Sequence, residues 1–234
     1  MKFWKLISLV AVISFSLAGF VPVGVAQDEG ADYPPPHVRE NSIALFNGKD
    51  FTGFTFCMKD EAAPAPTWTV TNGVIHCTGT PTSYLRSTQV FSNYFLTVEW
   101  RFVKIAPKAD NTGILVHMQP PDKLWPPCVQ VQGKHTRMGD LILMAGAESK
   151  EHKGKDANTP VLMRSQLIEQ PAEKPVGDWN KFETICLHGK VESFINGKFV
   201  NETTECSLNS GFIGMQCEGA EFEIRSIIFT PLKY

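Results

Sequence analysis

Charge is the first thing this chain has little of. Lysine plus arginine number 22 and aspartate plus glutamate 24, a formal net charge of −2 over 234 residues. No long run of one sign occurs, and without a basic footprint a nucleic-acid partner is not expected. Past the N-terminus there is no apolar stretch long enough to cross a bilayer. Long amphipathic helical patterns are also missing. Residues 147–174 are polar, with Lys, Glu and Pro throughout, and read as a long surface excursion. The six cysteines, Cys57, Cys77, Cys128, Cys186, Cys206 and Cys217, form no CxxC pair, which argues against a zinc knuckle or a thioredoxin-type site. An even count permits disulfides but leaves their connectivity open; the alternative is a set of buried thiols in a core that needs no staples.

What is present begins with an export signature. Lys2 and Lys5 precede an apolar stretch, Leu6 to Leu17, and Gly24-Val25-Ala26 offers small residues for cleavage. Residues 1–26 therefore read as a secretory signal peptide, cleaved after Ala26, and the mature protein as periplasmic or extracellular. A membrane anchor is the rival reading. The apolar run is short for a span and Pro22 follows at once, so no stable membrane span is expected after cleavage. No cysteine sits at the cleavage site, so no lipoprotein anchor is expected. Residues 27–40, with Pro34-Pro35-Pro36, read as a linker, and 41–234 as one folded domain.

Within that domain short apolar runs alternate with turn residues. Asn-Gly pairs recur at Asn47-Gly48, Asn72-Gly73 and Asn196-Gly197, which favour tight hairpin turns. The pattern predicts an all-β chain, a sandwich or a barrel. Trp179, at the start of a strand, and the Asn196-Gly197 turn read as structural. Alternation assigns faces. Leu96, Val98, Trp100 and Phe102 form one apolar set, leaving Thr97, Glu99 and Arg101 opposite. Ile114, Val116 and Met118 leave Leu115 and His117 opposite. Val129 and Val131 leave Cys128, Gln130 and Gln132 opposite. If these strands share a sheet, they build a polar floor of carboxylate, guanidinium, imidazole and amides, groups that bind sugar hydroxyls and move protons. The plainer reading of each residue alone is a solvated outer face.

An ordered set of motifs adds to this. Leu45-Phe46-Asn47-Gly48-Lys49-Asp50-Phe51-Thr52-Gly53-Phe54, Trp68-Thr69-Val70 with Asn72-Gly73-Val74-Ile75, and Phe95 to Arg101 come first. Asn111-Thr112-Gly113-Ile114, Trp125 to Gln132 with Gly139-Asp140, Gly177-Asp178-Trp179-Asn180, Ile195-Asn196-Gly197 and Gly211 to Gln216 follow. Together they resemble the 3-keto-disaccharide hydrolase family over about residues 43–232. The resemblance implies an all-β, two-sheet antiparallel jelly-roll sandwich of the concanavalin A-like type and a small carbohydrate substrate with a ketone at C3. The family motif more often has Glu where this chain has Gln130. An amide takes up no proton at working pH, so no base is supplied there.

An ordinary glycosidase needs two carboxyl groups flanking the bond, and no strand presents such a pair on the expected floor. A 3-keto sugar needs one base to remove the acidified C2 proton, a group facing the enolate, and hydroxyl binders. Glu99, His117, His135 and Asp140 are the candidate catalytic bases. Arg101, Asn111, Gln130, Gln132 and Gln216 are the candidate substrate binders, with Arg101 facing the enolate. A divalent metal on His117, His135 and an acid is left open, since no ligand spacing demands it. The alternative is a non-catalytic, lectin-like sugar-binding sandwich, which could work with amides and aromatics alone.

Overall fold

The computed structural model describes residues 42–105, 110–155 and 172–232, all within the compact unit Tyr33–Tyr234. The signal-peptide and linker expectations, and most of the surface excursion, lie outside the described residues. Among those residues no helix is long and apolar enough to cross a membrane. The chain order is β1 (Ile43–Ala44), β2 (Phe54–Met58), β3 (Trp68–Thr71), β4 (Val74–Cys77), β5 (Ser83–Ser87), β6 (Tyr94–Lys104) and β7 (Asn111–Met118). Then come β8 (Cys128–Gln132), β9 (Leu141–Met144), β10 (Asn180–Leu187), β11 (Lys190–Ile195), β12 (Lys198–Thr203), β13 (Phe212–Glu218) and β14 (Glu221–Pro231).

These strands build two antiparallel sheets. One has the order β12-β11-β10-β6-β14-β4-β3, with β1 also pairing β14; the other runs β2-β5-β13-β7-β8-β9. This is the expected jelly-roll sandwich. Asn72-Gly73 and Asn196-Gly197 join β3 to β4 and β11 to β12 with positive φ at both residues (52° and 78°, 52° and 79°), the conformation that matches the twist of paired strands. Asn47-Gly48 departs from the hairpin expectation. Its flanking strands pair elsewhere, β1 with β14 and β2 with β5. The Asn47 side chain instead accepts the backbone N–H groups of Lys49 and Asp50 and shapes a loop.

The core lies between the sheets. Leu96, Val98, Trp100 and Phe102 of β6 meet Ile114, Val116, Val129 and Val131 of β7 and β8, with Phe182, Phe222 and Ile224 beside them. All are buried, as alternation predicts. Each such large apolar side chain contributes on the order of 1.5–3 kcal/mol relative to exposure. Alternation does not reveal that β6 belongs to one sheet and β7 and β8 to the other, and this decides the geometry of the site.

Candidate functional site

The shared floor expected for Glu99, Arg101, His117, Gln130 and Gln132 does not exist in the structure, which splits these residues three ways.

Glu99 and Arg101 lie on the outer face of the eight-stranded sheet. A bulge in β14 between Ile224 and Ser226 brings Arg225 to that face, where its Nε donates to Glu99 at 2.8 Å. Arg101 donates to Glu223 at 2.8 and 2.7 Å. The Trp179 ring stacks on both guanidinium groups, 4.6 Å from each. His76 and Lys104 share Glu221 on the same face, and Lys181 pairs with Glu183. This is a ladder of neutralised ion pairs, the plainer reading; the exposed pairs contribute little apiece, whereas the Glu183 carboxylate is buried.

His117 departs in a different way. Its φ of +55° coincides with a bulge in the β13–β7 ladder between Phe212 and Gly214. The alternation of β7 reverses at that point. His117 turns onto the core residue Tyr94, ring centroids 5.7 Å apart, and Met118 takes the outer face instead, packed with Tyr84, Leu115 and Cys128. Gly211 is pressed so close that a Cβ there would lie 2.3 Å from the His117 carbonyl carbon. The imidazole Nδ1 and Nε2 face the Leu208 and Ser92 carbonyls at 3.1 and 3.2 Å. Burial nonetheless outweighs the two carbonyls and lowers the His117 pKa. His117 is an interior histidine whose neutral ring donates to one of the two carbonyls, not a base on the outer face.

Gln130 and Gln132 do reach a common face, the outer face of the six-stranded sheet, and Gln216 of β13 joins them. Gly113 of β7 lies between, opposite Gln132 on one side and Gln216 on the other. Its missing side chain makes the room: a Cβ there would sit 2.8 Å from Gln130 Nε2. Gln130 Nε2 donates to Gln216 Oε1 at 2.9 Å and to Gln132 Oε1 at 3.1 Å. Gln132 Oε1 also accepts the backbone N–H groups of Gly133 and Lys134, which pins its orientation. Gln216 Nε2 then donates to Glu218 Oε2 at 2.9 Å, and Asn111 Nδ2 to the same oxygen at 2.5 Å. The amide row therefore ends on a carboxylate.

Glu218 was not among the expected site residues. Its signal was available, because it stands two positions after Gln216 on one strand and must share its face. It is half-buried, and desolvation raises its pKa against the opposing effects of the Asn111 hydrogen bond and the Lys134 charge. Glu218, Asn111, Lys134 and His135 are part-exposed, whereas the three glutamines behind them are buried.

His135 and Asp140 sit at this same end of the sheet. The His135 backbone N–H donates to the Asp110 carbonyl, next to Asn111, and its Nδ1 lies 2.6 Å from Glu173. Asp140 takes the Gln132 backbone N–H on its carbonyl, and its carboxylate receives Arg137 Nε at 2.5 Å. Neither is a free base. Further along the face, Tyr84, the cross-strand partner of Gln216, donates to Asp122, which Arg86 holds with two bonds of 2.7 Å. Among the described residues no group of three or more His, Cys, Asp or Glu is placed to hold a metal ion. The candidate set of His117, His135 and an acid is not assembled, since His117 faces the core.

The two-sheet antiparallel sandwich places the chain among the concanavalin-like jelly rolls. Its residues 41–230 match the 3-keto-alpha-glucoside-1,2-lyase-like domain, and the chain belongs to that family. Two crystal structures from Parabacteroides distasonis ATCC 8503, both described as candidate glycosyl hydrolases, share the fold. One is 21% identical with a TM-score of 0.59, covering 83% of this chain and 95% of that one. The other is 18% identical with a TM-score of 0.56, covering 82% and 99%. The carbohydrate-binding module CBM66 from Bacillus subtilis is similar at 10% identity and a TM-score of 0.52, over 75% of this chain and 93% of that one. No curated protein matches the chain.

Proposed function

We propose that the protein cleaves 3-keto-glycosides by elimination across C1 and C2 of the keto sugar, with Glu218 as the base. One observation carries this reading: the amide row on the outer face of the six-stranded sheet ends on a single part-exposed carboxylate whose pKa is raised. A base with a raised pKa holds an abstracted proton better than an ordinary carboxylate. In the proposed step Glu218 takes the C2 proton, which the neighbouring ketone acidifies. The electron pair forms the enolate, and the C1–oxygen bond breaks with departure of the leaving group. Water adding to the resulting alkene completes a net hydrolysis.

The neighbouring side chains suit such a substrate. Gln216 and Asn111 hold Glu218 Oε2 from two sides, which fixes the carboxylate. Asn111, Lys134 and His135 are part-exposed beside Glu218, polar groups of the kind that meet sugar hydroxyls. Family membership and the likeness to candidate glycosyl hydrolases and a carbohydrate-binding module support a carbohydrate substrate. Incubating the protein with a 3-keto-glucoside and with its unoxidised parent tests the reading. Release of the leaving group from the keto sugar alone is expected. Equal release from both, or binding of both without turnover, would replace it with ordinary glycosidase or lectin-like behaviour.

A further inference from the structure

β3 and β4 of one sheet face β5 and β13 of the other at one end of the core. Trp68 and Cys77 are cross-strand partners in the first sheet, and Ser83 and Cys217 in the second. Trp68 Nε1 crosses between the sheets to Ser83 Oγ at 3.1 Å. Beside it lie the free, fully buried Cys77 and Cys217 thiols, near enough to perturb each other, with Cys217 Sγ donating to the Pro81 carbonyl at 3.4 Å. Two residues past each cysteine the backbones lock together. The Gly219 N–H donates to the Gly79 carbonyl at 2.9 Å, and a Cβ at Gly79 would lie 2.5 Å from the Gly219 carbonyl oxygen. The Cys77 and Cys217 chains are therefore held in fixed apposition by contacts on both sides of the sulfurs. Cys57 and Cys128 have no such partner: Cys128 packs on the Met144 sulfur at 3.7 Å and Cys57 lies against Tyr84.

We propose that Cys77 and Cys217 are a disulfide-forming pair that staples one sheet to the other when the chain folds in the presence of a small disulfide donor. Both thiols are free and fully buried in the folded chain, so exchange with the donor takes place as the chain folds, before the sheets close over the sulfurs. Cys217 Sγ attacks one sulfur of the donor, forming a mixed disulfide and releasing the first donor thiolate. Cys77, losing its proton, then attacks Cys217 Sγ and releases the second. Both cysteines are oxidised by one electron each, and the donor disulfide is reduced to two thiols. Cys217 lies between Gln216 and Glu218 on β13, so the staple also anchors the strand that carries the proposed base.

The test is to refold the full chain in a buffer of reduced and oxidised glutathione, alkylate it in denaturant, and map the peptides with and without prior reduction. The expected product is one Cys77–Cys217 linkage, a chain two hydrogens lighter, and a melting temperature at least about 5 °C above that of the same protein after reduction. Comparing the oxidised and reduced forms of one chain avoids reliance on a variant that fails to fold. Full alkylation of both cysteines without reduction, either cysteine linked to a different partner, or an unchanged melting temperature on linkage would each overturn the proposal.

Discussion

Replacing Glu218 by Gln removes a proton acceptor while keeping shape and most bonding. Glu218 Oε2 accepts from Asn111 and Gln216 at 2.5 and 2.9 Å, and the single carbonyl oxygen of a Gln can accept both. What disappears is the capacity to take the C2 proton. A positioned general base contributes about 10²–10⁴-fold, or about 3–5 kcal/mol of barrier. The variant should therefore lose at least about a hundredfold in kcat/KM on a 3-keto-glucoside. The wild-type profile should show an acid limb, with activity rising as Glu218 ionises and a midpoint above the ordinary value of 4.5. Stability should move the other way. Because the folded-state pKa is raised, the contribution of Glu218 is fully present below 4.5 and lost as pH rises through the folded value. The stability of the wild type relative to Glu218→Gln should accordingly decline above that pH in denaturant titrations. Activity within about threefold of wild type, with an unchanged acid limb, would refute the assignment of Glu218 as base.

Arg101→Ala should leave turnover per folded molecule intact, because Arg101 pairs with Glu223 and Trp179 on the opposite sheet; the expected cost is about 1 kcal/mol in urea unfolding. The His117 pKa is lowered from 6.5 by burial, so its stabilising contribution is present above that pH and lost as pH falls through the folded value. Melting curves of wild type and His117→Asn should thus converge as pH drops below 6.5. Substituting Ala-Ala for Asn196-Gly197 forces two positive-φ positions onto alanine and removes the Asn196 bonds to Lys181, Ala172 and Asn180. The expected loss is about 2–3 kcal/mol with activity per folded molecule unchanged, checked by calorimetry alongside turnover.

The sandwich was legible because alternation is a local property. The parity of Leu96 to Phe102 and of Cys128 to Gln132 depends only on each strand's own pleat, and both match the structure. Which sheet a strand joins depends on pairing across the whole domain. Thr97, Glu99 and Arg101 were therefore indistinguishable in sequence from residues on the other outer face, although β6 lies between β10 and β14. His117 was lost for another reason: its positive φ at a bulge inverts parity within a strand, and an unbroken apolar run gives no warning of it. Parity put Gln130 and Gln132 on one face, and the motifs named Asn111 and Gln216; the four meet in one hydrogen-bonded row. Glu218 needed only the period-two step from Gln216.

The claim that one base removes the C2 proton can be tested on the substrate itself. A 3-keto-glucoside carrying deuterium at C2 would be incubated with the protein, and leaving-group release and the fate of the label followed together. The account predicts slower release than from the unlabelled sugar, with the deuterium lost to solvent in step with cleavage. Cleavage at an unchanged rate with deuterium retained at C2 would contradict it and point to direct displacement at C1.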